Sequence, residues 1–201
     1  ESRPLTSAND PSPYVRTKAA AERKARQAPN LGLDTVIVIP TAIVGPYDFG
    51  PSYLGQALKL LAKGHIPALV KGGYDWVDVR DVVDGAIQAA QHGKSGEQYI
   101  LSGHWHNLRE FAQAVSEVSG KPVPPLVVPI WLAKLFQPVM ASLAQINHSQ
   151  PLFTPMMLDA MKSNRDIRHD KAARELGYQP RPFEETIHDT LEWFRLQGGN
   201  P

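Results

Sequence analysis

The amino-acid sequence predicts an α/β fold built on a doubly wound parallel sheet. Three observations point there. Thr35 to Ile39 is a continuous β-branched apolar run closed by Pro40, the pattern of a strand buried on both faces. An Ala-rich helical stretch and a Gly turn precede it, which together make one αβ unit. Further short strand signals then alternate with helical ones to about residue 120.

The elements follow in order. Residues 1–10 are polar and loop-like. Asp10 or Ser12 is placed to cap a helix with Pro13 in its first turn. That helix runs to about Gln27 and carries Arg23, Lys24 and Arg26 at its end, where cations suit the helix dipole. The strand Thr35–Ile39 comes next, then a loop with Gly45-Pro46 and Gly50-Pro51, both turn signals. Ser52 is expected to cap a helix through Leu61, and Gly72-Gly73 to precede a strand over Trp76–Val79. Asp81 is expected to start a helix over about Val82–Gln91, ended by Gly93. Glu97–Leu101 reads as another strand, His104-Trp105-His106 as an extended loop, and Asn107 as the cap of a helix that Gly120 ends.

After Gly120 the character changes. Between Pro122 and Leu158 the one formally charged residue is Lys134, and seven prolines occur. A strand near Leu126–Val128 and helices over Ile130–Ile146 and Thr154–Met161 are expected. Amphipathic helices over Asp170–Leu176 and Phe183–Leu196 close the chain.

Composition excludes several chemistries. Cysteine is absent, which removes disulfides, thiolate metal sites and thiol nucleophiles. Twenty-one Lys and Arg against 20 Asp and Glu give a net charge of +1, with no electrostatic case for nucleic acid or an anionic membrane. Val127–Ile146 is broken by Lys134, Gln137, Pro138 and Gln145 and does not read as a membrane span. No basic segment followed by an apolar one opens the chain, so a cytoplasmic location is expected. His104 and His106, with His65 or His92, do not make a metal site by spacing, and no metal is expected.

The chemistry concentrates in Tyr14-Val15-Arg16-Thr17-Lys18. Tyr14 and Lys18 stand four apart, one turn along a common helix face. A cation beside a phenol favours the phenolate, and a phenol so placed exchanges a proton with a carbonyl or alcohol oxygen. The spacing alone is common by chance; the buried strand, Pro40 and Gly-Pro loop downstream give it context.

Five strings in register carry a resemblance. They are Tyr14–Lys18 with Glu22; Ile39-Pro40-Thr41-Ala42-Ile43-Val44-Gly45-Pro46; Trp76-Val77-Asp78-Val79-Arg80-Asp81-Val82-Val83; Tyr99-Ile100-Leu101-Ser102-Gly103; and a tail from Asp170-Lys171-Ala172-Ala173 through Leu176-Gly177-Tyr178 to Trp193-Phe194. The sequence resembles the C-terminal part of an extended short-chain dehydrogenase/reductase, the NAD-dependent epimerase/dehydratase family, and within it the dihydroflavonol reductase-like branch. The resemblance implies a Rossmann-type sheet, of which this chain holds the second half, with a smaller, mostly helical C-terminal substrate domain. Residues 1–52 would close the dinucleotide-binding domain and 53–201 would form the substrate region, with 74–102 returning to the main sheet.

The same resemblance implies site roles. Tyr14 would be the general acid/base, and Lys18 would assist it and hold the nicotinamide ribose. Pro40 and Ile43 would line the nicotinamide, and Ser52 would lie near the cofactor phosphates. Asp81 is expected to be structural, as a helix cap. The cofactor would be NAD or NADP. Tyr47, Phe49 and Tyr53 crowd the loop after Pro40 and are candidates for a substrate wall, as is His104 after a strand end; packing onto the core is the alternative for the aromatics. Met156, Met157 and Met161 lie at helical spacing and are expected in packing.

Two departures matter. No Gly-x-Gly-x-x-Gly loop follows a strand in this chain, and Thr6, Ser7 and Ser12 lie too close to Tyr14 to match the family's third catalytic hydroxyl. The expectation is therefore a chain that works with an N-terminal half of the same protein and is inactive alone; a homodimer stays open. The nearly uncharged stretch from Pro122 to Leu158 favours a less charged, partly apolar carbonyl or alcohol as substrate, with Arg80, Arg165, Arg168 and Arg181 left as candidates for a diphosphate clamp. Two alternatives remain: an epimerase or dehydratase of nucleotide-sugars with transient hydride transfer, and a non-catalytic cofactor sensor.

Overall fold

The computed structural model describes residues 10, 12–50, 52–137, 154–162 and 165–198. The expected 130–146 helix is described only for 130–137, and the first nine residues lie outside the described ones.

Helix α1 spans Pro13–Gln27. Ser12 rather than Asp10 is its cap, accepting from the Val15 N–H at 3.4 Å. A 3-10 turn, Ala28–Leu31, ends at Gly32, whose φ of 78° lies in the left-handed region that glycine adopts without strain. The chain then enters β1 (Ile37–Pro40) and, after one residue, β2 (Ala42–Val44). Helix α2 (Tyr53–Ala62) is capped by the Ser52 hydroxyl, as expected from the sequence.

Strand β3 (Ala68–Val70) is followed by β4 (Gly73–Asp78) and α3 (Val79–His92). Here the expectation needs correction. The strand ends one residue earlier, and Asp78, not Asp81, is the cap of α3, accepting from the Arg80 N–H at 2.8 Å. Asp81 instead accepts from the backbone and the guanidinium of Arg181, each at 2.8 Å. Both aspartates suit a helix start, and a partner 100 residues away decides between them.

Strand β5 (Gln98–Leu101) leads into β6 (His104–Asn107), so the expected loop at His104–His106 is a strand. Helix α4 (Leu108–Ser119) begins in a capping box between Asn107 and Glu110 and ends at left-handed Gly120. Strand β7 (Leu126–Val128) precedes a helix over 130–137, α5. Helices α6 (Pro155–Ala160), α7 (Asp170–Leu176) and α8 (Phe183–Leu196) complete the order.

The strands form three small sheets. β1 pairs in parallel with β5, with Ile37 opposite Gln98 and Pro40 opposite Leu101. β2 pairs in parallel with β4, whose other edge takes β6 antiparallel. β3 and β7 make a parallel pair. The α/β class with parallel pairing is as read from sequence, while the antiparallel β6 is an addition.

The main core lies where α2, α4 and α8 meet around Leu58, Val115, Ile187 and Phe194, all essentially inaccessible. Each such side chain contributes roughly 1.5–3 kcal/mol by leaving water. A second cluster packs α3 and α7 around Tyr99 and Leu101 of β5, and a third joins Val70, Leu158 and Met161.

Candidate active site

Helix α1 packs on β1 and is tied to β5 by Arg26, which donates to the Gln98 side chain at 3.0 Å and pairs with Glu22 at 2.6 Å. Ala19 is its one buried side chain. Tyr14 and Lys18 therefore stand on an open face, with Tyr14 55% exposed. The Lys18 Nζ lies 5.9 Å from the centroid of the Tyr14 ring, so the two groups expected to act together are neighbours. The phenol is free to meet a ligand, and the ammonium is at hand for negative charge or hydroxyls.

At the C-terminal end of β1, Pro40 and Thr41 line a cavity of about 410 Å³ with Ala42, Tyr74, Asp75 and Ile100. Ligand sites of α/β sheets gather at such strand ends. Asp75 is almost fully buried. Its Oδ1 accepts from the Thr41 hydroxyl at 2.6 Å and from the Gly103 N–H at 2.8 Å. One carboxylate thus holds the residue after Pro40 and the turn between β5 and β6. The Tyr74 hydroxyl donates to the Met157 carbonyl at 2.7 Å, and burial pushes this phenol above its ordinary range. Tyr74 therefore stays protonated at neutral pH, with its hydroxyl committed to that carbonyl.

A neighbouring cavity of about 270 Å³ is lined by Ile43, Tyr47, Asp48, Ser52 and Gly55 among others. Tyr47 has φ 71°, a backbone region that bulky residues rarely adopt. The Ser52 hydroxyl has two partners already: it accepts from the Gly55 N–H at 3.0 Å and donates to Asp48 at 2.9 Å.

The expected residues thus divide. Pro40 lines one cavity, and Ile43, Tyr47 and Ser52 line another. Among the described residues, Tyr14 and Lys18 line neither of these two cavities, standing on α1 instead. Phe49 packs edge-on against Trp193, with ring centroids 5.2 Å apart, and Tyr53 and His104 are exposed. None of these three lines either of those two cavities. Among the described residues no group of three or more His, Asp or Glu gathers as a metal site, and no helix is long and apolar enough to cross a membrane. Thr41 and Asp75 escaped the sequence reading. An acidic residue set between Tyr74 and Trp76 in the interior of β4 was the available signal.

Comparison with known proteins adds to this geometry. The model of the NAD dependent epimerase/dehydratase family matches residues 1–102. Sterol demethylase protein B of Methylococcus capsulatus is 33% identical over 187 residues, 92% of this chain and 57% of that protein. A Synechocystis protein named as a dihydroflavonol 4-reductase is 33% identical over 193 residues, 92% of this chain and 55% of its own length. The chain therefore spans little more than half the length of these relatives. Among solved structures, gox2253 superposes with a TM-score of 0.79 at 32% identity, over 98% of this chain and 60% of its own. With the family model matching from α1 through β5 and the likeness to relatives running on into the C-terminal helices, the chain belongs to the NAD dependent epimerase/dehydratase family.

Proposed function

We propose that this chain supplies the acid–base and substrate part of an NAD(P)-dependent oxidoreductase acting on a carbonyl or alcohol. The observation that carries the reading is the pair on α1: an exposed Tyr14 phenol with the Lys18 ammonium 5.9 Å from its ring. The residues present fit the nicotinamide end of such a cofactor. Pro40 and Thr41 wall a cavity at a strand end, and Lys18 offers three donors to ribose hydroxyls. When bound, the nicotinamide supplies or accepts a hydride. Tyr14 holds the proton for the substrate oxygen, donating it on reduction and taking it on oxidation. Lys18 places a positive charge beside that exchange. Pro40, Ala42 and Ile100 present apolar surface that keeps water from the reacting carbon. The pyrophosphate-binding loop and the third catalytic hydroxyl are assigned to polypeptide beyond these 201 residues.

The test uses the full-length polypeptide with NADH and NADPH against a panel of ketones and alcohols. Tyr14→Phe is expected to lower turnover by roughly 10²–10⁴-fold and to leave cofactor affinity within about threefold. Turnover retained in Tyr14→Phe would remove the assignment. Stoichiometry separates the family's two reaction types. One NAD(P)H consumed per product marks a net reductase, and no net consumption marks an epimerase or dehydratase.

A further inference from the structure

The wall of the 410 Å³ cavity carries the polar side chains of Thr41, Tyr74 and Asp75 among apolar ones that include Pro40, Ala42 and Ile100. Each of the two hydroxyls has a single hydrogen to give, and both hydrogens are committed. Thr41 donates to Asp75 at 2.6 Å, and Tyr74 to the Met157 carbonyl at 2.7 Å. A carboxylate only accepts. The side chains of this wall therefore offer acceptors and no free donor.

Asp75 leaves the most unused. It is 5% exposed. Its hydrogen bonds from the Thr41 hydroxyl and the Gly103 N–H both arrive at Oδ1. Oδ2 has no hydrogen bond, and the carboxylate no ion pair, among the described residues. Two side-chain polar atoms of those residues are sealed in without a partner, Thr35 Oγ1 and Trp105 Nε1. Oδ2 is not one of them, so it keeps access to open space, which the cavity lined by Asp75 supplies. Withdrawing a carboxylate from water with one oxygen unpaired is costly. A donor brought by a ligand offsets that cost with a charge-assisted bond. The two bonds at Oδ1 already fix the carboxylate in place, so little further ordering is needed.

We propose that Asp75 is a specificity-determining residue of this cavity, its Oδ2 accepting from an O–H or N–H group of the bound ligand. The proposal rests on the oxidoreductase reading of the cavity. Two sources carry such a donor: a hydroxyl beside the reacting carbonyl of the substrate, and the carboxamide of the nicotinamide. In either case a ligand with a methyl group in the donor's place leaves Oδ2 unpaired and is rejected.

Two pairs of probes, each exchanging the donor for a methyl group, separate the sources. Phenacyl alcohol and propiophenone form the ketone pair. NADH and its reduced acetylpyridine analogue form the cofactor pair, with the phosphorylated forms used where NADPH binds more tightly. Titration calorimetry on the full-length polypeptide follows the cofactor pair directly. The ketone pair is titrated with the oxidised cofactor bound, so that no turnover intervenes. In the wild type, one pair is expected to show a preference of roughly 10- to 100-fold for the donor-bearing member. Asp75→Asn is expected to abolish it. The Asn oxygen stays on Thr41 and Gly103, and its N–H₂ group stands in the cavity where Oδ2 was. A residue that only braced the fold would weaken both members of a pair alike and leave their ratio unchanged.

A preference lost in Asp75→Asn supports the proposal, and the pair that shows it names the source. Equal affinities within both pairs in the wild type, or a preference that survives in folded Asp75→Asn, would overturn it and leave the oxidoreductase reading standing. No binding of either dinucleotide would remove that reading and the proposal with it. Should Asp75→Asn fail to fold, a crystal structure of the wild type with the preferred probe decides. A donor within about 3.2 Å of Oδ2 supports the proposal, and a donor placed elsewhere overturns it.

Discussion

Arg80 and Asp189 meet across the molecule, the Nη1 of one donating to the Oδ2 of the other at 2.7 Å, although 109 residues separate them. The same guanidinium donates from Nη2 to Asp78 at 2.7 Å. It therefore joins the cap of α3 to the middle of α8. Arg181 adds a second tie, pairing with Asp81 at 2.8 Å and approaching Asp78 at 3.7 Å. These contacts hold the C-terminal helix against the strand that leads from the 410 Å³ cavity.

The first prediction concerns acid. Burial alone would push the Asp78 carboxyl up, but hydrogen bonds from the Arg80 side chain and backbone outweigh it and hold the group below its usual value. The Arg80 side chain likewise holds Asp189 down. A carboxyl depressed in the folded state contributes stability that is fully present above its unfolded value, about pH 4, and is lost as pH falls through the folded value. Urea midpoints should therefore be flat from neutrality to about pH 5 as far as this pair is concerned, then fall. Asp189→Asn should shallow the fall. An acid limb identical in wild type and variant would show that the pair does not govern it.

Removing the cation tests the same network from the other side. Arg80→Met leaves Asp78, whose side chain is inaccessible, without its main partner. Breaking a buried pair from one side costs about 3–5 kcal/mol. The lower end is expected, because Arg181 Nε remains 3.7 Å away. Chemical denaturation at neutral pH reads the loss, and Arg80→Lys should recover only part of it, since one ammonium cannot reproduce the forked contacts to Asp78 and Asp189.

Asp75 carries the second structural prediction. Asp75→Ala removes the acceptor for both the Thr41 hydroxyl and the Gly103 N–H, and each buried donor left unpaired costs about 1–3 kcal/mol. Asp75→Asn keeps an oxygen acceptor and should lose less. Because Thr41 follows Pro40, both variants should also weaken cofactor binding in the full-length polypeptide, with Asn the milder. Equal stability for Asn and Ala would mean the oxygen acceptor is not what matters.

These contacts show what was legible in sequence. Caps are local, so Ser12, Ser52, Asn107 and Gly120 declared four helix ends within four residues of themselves. The Tyr14–Lys18 neighbourhood followed from one helical turn. The three sheets were less legible, because strand runs of three to six residues do not name their partners. Nothing near His104 indicates that β6 pairs antiparallel with β4 rather than continuing a parallel order. The choice of Asp78 over Asp81 as cap was set by Arg181, and the role of Asp75 by Thr41, 34 residues away. Local rules reach such partners only after the chain has folded.

Gly103 marks the place where the antiparallel strand becomes possible. A Cβ there would collide with the Trp76 carbonyl and crowd the Val77 backbone. Backbone atoms of a paired strand cannot swing aside as a side chain can. Gly103→Ala should therefore cost at least the 1–3 kcal/mol typical of overpacking and disturb the Asp75 contact as well. Thermal unfolding measures the cost. A variant as stable as wild type would mean that β4 and the turn have room to separate.

Ser52 separates a structural role from a cofactor role. Its hydroxyl caps α2 through the Gly55 N–H and donates to Asp48, whose two oxygens also accept from the Ser52 N–H at 3.0 and 2.9 Å. Ser52→Ala removes the cap and should cost about 1 kcal/mol; Ser52→Asn preserves a capping oxygen without adding charge and should restore most of it. Ser52→Asp would cap equally well on its own, but it faces the Asp48 carboxylate and should be less stable than Asn. If the hydroxyl also contacts a cofactor phosphate, Ala and Asn should both raise the cofactor dissociation constant in the full-length polypeptide, whatever their stability. Affinity that instead follows stability across the series would leave Ser52 a cap alone.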